Sequence, residues 1–223
     1  MITVDLWLWR RELAGDEAAL SAAEQARAAR FAFAHLARDY RAIHARLRAV
    51  LARYVNLPAA AIEIGPVEGG KPAMAGGPFF NLSHSGDWVA LGVCRTAAIG
   101  VDIEAHRPVE TDVAERFFSP AEHQALNGLA AEAWRDAFFR CWTRKEAFVK
   151  ATGDGLMRPL DSFDVTLLAN DAARLTRIAG DAAADWTLID LPLGAGMAGA
   201  VALRSGGEEV RLTLREGQMP LPG

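Results

Sequence analysis

Alternating apolar and polar positions in the first hundred residues predict three strands and one long helix. VDLWLW alternates near the start, and FFNLSHS and WVALGVC follow residue 78, separated by a turn of sequence SGD. Between them, Ser21 and Glu24 have capping-box spacing, and an Ala-, Arg- and Leu-rich helix, broken once, is expected to run to about Asn56. The Pro- and Gly-rich residues 57–78 indicate a connector containing a short AIEI strand.

A second series of the same kind starts at IGVDIE, residues 99–104. SPAE at 119–122 repeats the capping-box spacing with Pro at the first helical position. A strong helix is predicted from Glu132 to Ala151, ended by Gly153, and SFDVTLL, DWTLIDL, MAGAVAL and EVRLTLR are predicted to form a meander of antiparallel strands. This order of strand, helix and further strands indicates the α+β fold class.

The chain divides into an N-terminal half, residues 1–98, and a C-terminal half, residues 99–223. RFAF at 30–33 and RFFS at 116–119 hint that the halves arose by duplication. Since no segment between them is long or polar enough to serve as a linker, we expect the halves to pack together.

Composition and charge are those of an ordinary soluble globular protein. The chain has 223 residues, 51% of them hydrophobic, and a formal net charge of −4, which argues against general affinity for nucleic acid. Its apolar runs are shorter than a membrane span and its first residues lack a signal-peptide pattern, so no membrane association is expected. Cys94 and Cys141 lie in apolar stretches, which indicates buried thiols in a reducing cytoplasm.

The strand IGVDIE combines an apolar face with two carboxylates. Because side chains alternate along a strand, Asp102 and Glu104 point the same way, roughly 6.6 Å apart, and Gly100 is expected to leave open space beside them. Carboxylates this close repel each other unless a cation lies between them. A cation-binding face and a solvated strand face are both consistent with this stretch alone.

The second predicted helix places Glu146 and Lys150 one turn apart at the edge of an apolar stripe. One interpretation is an ordinary surface ion pair. The other makes Glu146 a third carboxylate beside Asp102 and Glu104, with Lys150 on a phosphate, since Mg²⁺ combines a few carboxylates with water and phosphate oxygens. Lys145 lies near the middle of the stripe, where it either snorkels to solvent or borders a cleft.

The rest of the polar set suits a substrate with several phosphates. Only three of the 24 basic residues are lysines, and a compact ammonium suits phosphate. The sequence has no HxH, HExxH, CxxC, GxSxG, Walker A or GxGxxG pattern, which argues against zinc sites, serine hydrolases and the usual phosphate loops. Ser83 and His84 remain as hydrogen-bond donors, and His84 is either structural or ligand-binding. The available cations are Arg27, Lys71 and Lys150.

Five motifs in order resemble one family. GGKP (69–72), FNLSHSGDW (80–88), IGVDIE (99–104), RFFSPAE (116–122) and WTRKEAFVKATGDGL (142–156) closely resemble the 4′-phosphopantetheinyl transferases of the larger, Sfp type. The resemblance runs from about Ser21 to Val165 and continues loosely to the end. It implies two similar α+β halves packed as an intramolecular pseudo-dimer, with coenzyme A in the cleft between them. It also implies transfer of 4′-phosphopantetheine to a serine of an apo acyl or peptidyl carrier protein, releasing adenosine 3′,5′-bisphosphate.

The resemblance further implies roles for individual residues. Mg²⁺ ligands would be Asp102, Glu104 and Glu146, with Glu146 also the base for the acceptor serine and Lys150 the contact to the pyrophosphate. The coenzyme-binding positions would be Arg27, Gly70, Lys71, Pro72, Asn81, Ser83 and His84. One departure concerns the adenine end of the coenzyme: Glu24 stands where some relatives have a second basic residue, and Arg30 is the nearby candidate to compensate.

Two other functions are consistent with this residue set. One is a carboxylate-metal phosphohydrolase, which would need more ligands for a second metal ion. The other is a non-catalytic module that binds coenzyme A or a carrier protein. Because two halves already form one cleft, we expect a monomer. The sequence does not select among fatty-acid, polyketide and nonribosomal-peptide carriers.

Overall fold

The computed structural model describes residues 1–13, 15–66 and 70–215. The first half contains β1 (Ile2–Arg10), α1 (Ala22–Ala28), α2 (Ala34–Val55), β2 (Gly65–Pro66), β3 (Pro72–Ala73), β4 (Phe79–Ser85) and β5 (Trp88–Cys94). The second half contains β6 (Ile99–Ala105), α3 (Asp112–Phe117), α4 (Pro120–Asn127), α5 (Ala131–Thr152), β7 (Phe163–Val165), β8 (Leu175–Ile178), β9 (Trp186–Asp190), β10 (Met197–Arg204) and β11 (Val210–Arg215).

The main sheets of the two halves have the same strand order. In the first half, β1 pairs antiparallel with β5, which pairs antiparallel with β4. In the second half, β6 pairs antiparallel with β10, which pairs antiparallel with β9. In each sheet, therefore, the strand that comes last of these three in the sequence lies in the middle.

Strand β11 differs from the predicted meander. It pairs in parallel with β1, with Leu212 opposite Val4, although it belongs to residues 99–223. The meander is confirmed for β9 and β10 and wrong for β11, because the edge of β1 that faces away from β5 offers its backbone groups to a further strand. It is also wrong for SFDVTLL, whose strand β7 pairs with β8 in a separate two-stranded sheet. The two sheets therefore do not follow the division at residues 98 and 99.

The AIEI strand predicted at residues 61–64 is wrong. Ala59–Ala61 form a turn of 3₁₀ helix, and Arg48 Nη1 donates to the carbonyl oxygens of Ala59 and Ile62, at 2.8 and 2.9 Å. Backbone groups that bind a side chain in this way have their hydrogen-bonding needs met without a neighbouring strand.

The layers stack in the order α2, first sheet, second sheet, α5. Alternate residues of β1 pack in opposite directions, with its leucines toward the second sheet and Trp7 and Trp9 toward α2. In β6 the apolar residues join the core between the sheets, whereas Gly100, Asp102 and Glu104 lie on the face toward α5. This alternation directs the polar residues of β6 toward one helix.

The helices begin and end as predicted. Ser21–Glu24 and Ser119–Glu122 form complete capping boxes at α1 and α4, and the predicted break falls between α1 and α2. The residues that cap the C-termini of α2 and α5 are Asn56 and Gly153. Their φ angles of 54° and 81° lie in the left-handed region that closes many helix C-termini.

In each half the fifteenth position of a 22-residue helix is a buried cation, and in α5 the preceding residue, Arg144, is buried as well. Arg48 in α2 lies 2.7 Å from Glu24, and Lys145 in α5 lies 2.7 Å from Glu122. Both glutamates occupy the N3 position of a helix, where each completes a capping box. Both cations also donate to two carbonyl oxygens of the segment that follows their own helix. Lys145 therefore does not snorkel, and the predicted α+β fold of two similar halves is confirmed.

The described ranges contain no helix that is both long and apolar enough to cross a membrane. Cys94 and Cys141 are both buried and both free. Burial, with the charge of Glu122 adding to it, raises the pKa of the Cys141 thiol well above its usual value. Both thiols are therefore part of the core.

Candidate active site

Asp102 on β6 meets Lys150 on α5. Lys150 Nζ lies 2.6 Å from Asp102 Oδ1 and donates to the carbonyl oxygen of Val101 at 3.2 Å. Because Lys150 binds β6, it does not form the surface ion pair with Glu146 that was one interpretation of the sequence. Among the described residues, Glu146 has no ion-pair or hydrogen-bond partner. The two residues one turn apart on α5 are therefore not partners of each other.

The carboxylates of this site act on each other. The pKa of Asp102 is raised to about 6, mainly by burial and in smaller part by the charges of Glu146 and Glu104, against the opposing effect of Lys150. Burial also raises the pKa of Glu146, opposed by Lys150 and supported by Glu104. Like charges have this effect on each other, so the strand and the helix place each of the three predicted carboxylates within reach of the others' charge.

Among the described residues, each of these three carboxylates has at least one oxygen without a hydrogen-bond partner. Asp102 Oδ2 is buried without a hydrogen-bond partner, a costly arrangement that buried polar atoms rarely show. Nevertheless, within the described ranges no three His, Cys, Asp or Glu side chains are close enough together to hold a metal ion as they stand. Carboxylate oxygens are the ligands that hard cations such as Mg²⁺ prefer, and a buried oxygen without a partner is free to bind one.

Gly100 lies where the strand and the helix approach each other most closely. A methyl group at this position would overlap the carbonyl oxygen of Ala147 and the backbone nitrogen of Ala151. The expected open space beside the carboxylates is therefore wrong, because the backbone of α5 fills it. The absence of a side chain lets α5 lie directly on β6, which brings Lys150 within reach of Asp102.

Side chains of β4, rather than its backbone, connect the two sheets beside this site. Three residues of β4 that share one face each accept a hydrogen bond from an amide of β6, at 2.8, 3.2 and 3.0 Å. The pairs are Asn81 with Val101, Ser83 with Ile103, and Ser85 with Ala105. Two of the predicted coenzyme-binding residues are therefore already engaged in joining the halves.

The two serines also bind the carboxylates of β6. Ser83 Oγ lies 3.0 Å from Asp102 Oδ1, and Ser85 Oγ lies 2.6 Å from Glu104 Oε2. Sequence reasoning missed Ser85. The signal was present, because the alternation in NLSHS places it on the same strand face as Asn81 and Ser83.

Lys71 binds the C-terminal end of α5. Its Nζ donates to the carbonyl oxygens of Ile99 and Lys150, at 2.7 and 2.6 Å, and burial lowers its pKa to about 8. Carbonyls in the last turn of a helix have no partner within the helix and attract a cation. Its neighbours in the motif are Gly70, with a φ of 80°, and Pro72, in β3, whereas Gly69 lies outside the described residues.

A cleft of about 250 Å³ adjoins Lys71 at the boundary of the two halves. Met74 and Phe79 line it from the first half, and Ala151 and Gly153 line it from the second. The GKP segment and the end of α5 therefore face the same space.

Other predicted coenzyme-binding residues lie in different surroundings. Arg27, exposed on α1, has its guanidinium 5.7 Å from the centre of the Tyr40 ring, and in the described part of the chain it shares no hydrogen bond with the carboxylates. Partial burial and the charges of Arg11 and Lys150 lower the pKa of His84. Neither residue forms a hydrogen bond or an ion pair with the carboxylates within the described ranges, and Arg27 lies beside α2.

Glu24, the departure noted in the sequence, has a structural function. It binds Arg48 and caps α1 through Ser21, and these bonds lower its pKa although burial, the largest single influence, acts to raise it. The charge of Glu24 is therefore balanced by Arg48 within the first half.

Comparison with known proteins places the sequence in one family. Residues 98–203 match the model of the 4′-phosphopantetheinyl transferase superfamily. The 4′-phosphopantetheinyl transferase HetI of Nostoc sp. strain PCC 7120 is 34% identical over 205 residues, which cover 86% of this chain and 84% of that protein. Sfp of Bacillus subtilis strain 168 is 39% identical over 125 residues, 54% of each chain. A holo-[acyl-carrier-protein] synthase structure from Thermotoga maritima covers 50% of this chain and 65% of its own, at 18% identity and a TM-score of 0.40.

These relatives identify the chain as a transferase, an enzyme that transfers a chemical group to another molecule. The chain belongs to the 4′-phosphopantetheinyl transferase superfamily, as the five motifs indicated.

Proposed function

We propose that this chain uses Asp102, Glu104 and Glu146 to hold Mg²⁺ while it transfers 4′-phosphopantetheine from coenzyme A to a serine of an apo acyl or peptidyl carrier protein. The observation that supports this most is the unpaired, buried Asp102 Oδ2 beside two further carboxylates. Mg²⁺, when bound there, would neutralise the charge of the pyrophosphate.

Glu146 is suited to accept the proton of the serine hydroxyl. It has no hydrogen-bond partner within the described ranges, and burial raises its pKa, which makes its carboxylate a stronger base than an exposed one. In the proposed step the serine oxygen forms a bond to the phosphorus that carries pantetheine. The bond from that phosphorus to the bridging oxygen breaks, and adenosine 3′,5′-bisphosphate leaves with the electron pair.

Lys150 is suited to bind the pyrophosphate of coenzyme A. Its side chain is 28% exposed, so the ammonium reaches solvent while it stays 2.6 Å from Asp102 Oδ1. Lys71 and the adjoining cleft between the halves extend the proposed coenzyme site, to which Arg27, Gly70, Pro72, Asn81, Ser83 and His84 also belong. Since Asn81 and Ser83 bind β6, their contribution would be to shape this site from behind.

The proposal includes a monomer in a reducing cytoplasm. Two halves with matching sheets already face each other within one chain, and two buried free thiols suit a reducing compartment. Light scattering that gave a dimer or trimer would contradict the monomer.

Mass spectrometry of apo carrier proteins incubated with the chain, coenzyme A and Mg²⁺ tests the function. We expect one phosphopantetheine on the acceptor serine and loss of transfer when EDTA removes the metal. Phosphate release without a carrier would instead indicate a phosphohydrolase, and binding of coenzyme A without transfer to any carrier would indicate a binding module.

A further inference from the structure

We infer that Ser85 is a positioning residue that holds the carboxylate of Glu104 in the orientation needed to bind the metal ion. The inference rests on the proposed function, in which Glu104 is a metal ligand. It concerns a residue that belongs neither to the carboxylates nor to the predicted coenzyme contacts.

The hydrogen bonds of Ser85 fix the direction of its hydroxyl proton. The backbone nitrogen of Ala105 donates to Ser85 Oγ at 3.0 Å, so the oxygen serves there as acceptor. A hydroxyl has one proton, and Glu104 Oε2 lies 2.6 Å away as the acceptor for it. Ser85 therefore binds the carboxylate of one β6 residue and the amide of the next.

This arrangement orients Glu104 without covering it. Arg107 Nη1 lies 2.7 Å from the same oxygen, Oε2, so that both described partners of Glu104 bind one side of the carboxylate. Its other oxygen, Oε1, has no partner within the described ranges. Partners of this kind, which bind a ligand rather than the metal, set the ligand's orientation and basicity.

Ser83 repeats the arrangement two residues earlier. It accepts from the backbone nitrogen of Ile103 at 3.2 Å and lies 3.0 Å from Asp102 Oδ1. One face of β4 thus presents a hydroxyl to each of the two carboxylates of β6. The repeat argues that the serines serve the carboxylates, because joining the strands needs only an acceptor, as Asn81 demonstrates.

The test uses two variants of equal shape, Ser85→Thr and Ser85→Val, of which only the first keeps a hydroxyl. Mn²⁺ serves as the probe, and its dissociation constant is measured by electron paramagnetic resonance on the full chain without coenzyme A. We expect Ser85→Val to raise this constant by roughly 10- to 100-fold and Ser85→Thr to stay near the wild type. Ser205→Ala, which removes a buried hydroxyl near the far end of β10, is the control and should leave the constant unchanged.

Kinetics give the second readout. Ser85→Val should need more Mg²⁺ for half-maximal rate, recover kcat at high Mg²⁺, and keep the KM for coenzyme A within about twofold of the wild type.

The inference is overturned if Ser85→Val binds Mn²⁺ as the wild type does, if Ser85→Thr is as impaired as Ser85→Val, or if Ser85→Val and Ser85→Ala do not fold, since the hydroxyl would then be structural. Failure of the wild type itself to bind Mn²⁺ would overturn the proposed metal site, which distinguishes the two.

Discussion

The two halves place different residues at equivalent positions of one scaffold. β1 and β6 start at Ile2 and Ile99, and α2 and α5 start at Ala34 and Ala131, so a shift of 97 residues relates both pairs. Under this shift four residues of the first half correspond to the four candidate site residues of the second. The pairs are Asp5 with Asp102, Trp7 with Glu104, Ala49 with Glu146, and Arg53 with Lys150.

The first half uses these positions for stability. Asp5 binds the Tyr54 hydroxyl at 2.7 Å through one oxygen and Arg215 Nε at 2.9 Å through the other, whereas Asp102 Oδ2 has no partner. Trp7 fills the space that holds a carboxylate in the second half. At this pair of equivalent aspartates, therefore, the first half uses both carboxylate oxygens in hydrogen bonds and the second half leaves one oxygen without a partner.

The largest effect should come from making the halves alike at Glu146. Glu146→Ala gives α5 the residue that α2 has there, and Glu146→Gln keeps the shape while removing the charge. Both should lower kcat by roughly 10²- to 10⁴-fold, because they remove the proposed base. Steady-state transfer to an apo carrier at varied Mg²⁺ measures this. Rates near the wild type in both variants would mean that Glu146 is not part of the mechanism.

Lys150→Ala should act differently from the Glu146 variants. It removes the proposed contact to the pyrophosphate, so its effect should appear partly in the KM for coenzyme A and partly in kcat. Titration of coenzyme A at saturating Mg²⁺ separates the two. Arg53→Ala, at the equivalent position of α2, should leave both parameters unchanged.

Asp102→Ala and Asp5→Ala compare equivalent aspartates directly. Asp102→Ala should lower the transfer rate by at least about 100-fold, since metal ions contribute several kcal/mol of charge stabilisation. Asp5→Ala should keep the rate and lower the free energy of unfolding by about 1–3 kcal/mol, because Tyr54 and Arg215 lose a shared partner. Kinetics and urea unfolding of both variants test this, and the reverse pattern would place the site in the first half.

The buried cations should behave alike. Arg48→Met and Lys145→Met each remove the guanidinium or ammonium partner of a largely buried glutamate, although His44 stays 3.3 Å from Glu24, and each should cost about 3–5 kcal/mol of unfolding free energy. Replacing Glu122 by Gln as well should restore much of the loss in the second half. A large loss in only one of the halves, measured by urea unfolding, would break the equivalence.

A methyl group at Gly100 should separate α5 from β6. Gly100→Ala should cost about 1–3 kcal/mol of unfolding free energy and lower the transfer rate, because α5 must move to make room. The equivalent position in β1 is Thr3, which is exposed, and Thr3→Ala should change neither quantity appreciably. Equal effects of the two substitutions would mean that the close approach has no bearing on the site.

The smallest expected effect depends on pH and concerns Lys71. Its pKa in the folded chain, about 8, lies below the ordinary 10.5, so the unfolded chain binds more protons between these values. The stability of the wild type relative to Lys71→Met should therefore rise between pH 8 and 10.5, by on the order of 1 kcal/mol after allowance for solvent screening. Urea unfolding of both proteins from pH 7 to 10 gives this difference, and a difference that stays flat with pH would contradict it.

Local patterns predicted most of the fold. The capping boxes at Ser21 and Ser119 and the ends of α2 and α5 depend on a few neighbouring residues, so the sequence shows them directly. The partner of β11 is more than 200 residues away in β1, and no local signal distinguishes it from the strand before.

The candidate site was predicted as a set of residues rather than as contacts. The contact between Asp102 and Lys150 was not foreseen, because the sequence offered Lys150 either a phosphate or Glu146 as its partner, and the roles of the site residues stay predictions. The sequence could not show whether Gly100 marks empty space or a close approach, since both need a small residue. Nor could it place Lys145, whose burial depends on Glu122 in another helix.

The parallel pairing of β11 with β1 has a consequence for biosynthesis. Residues 2–7 leave the ribosome before their partners, residues 210–215, have been made. The first sheet therefore stays incomplete until residues 210–215 have been made, and during that time β1 offers an open edge to other polypeptides. The second half, by contrast, closes β6, β10 and β9 from within its own residues, so we expect it to reach its final form before the half that was made first.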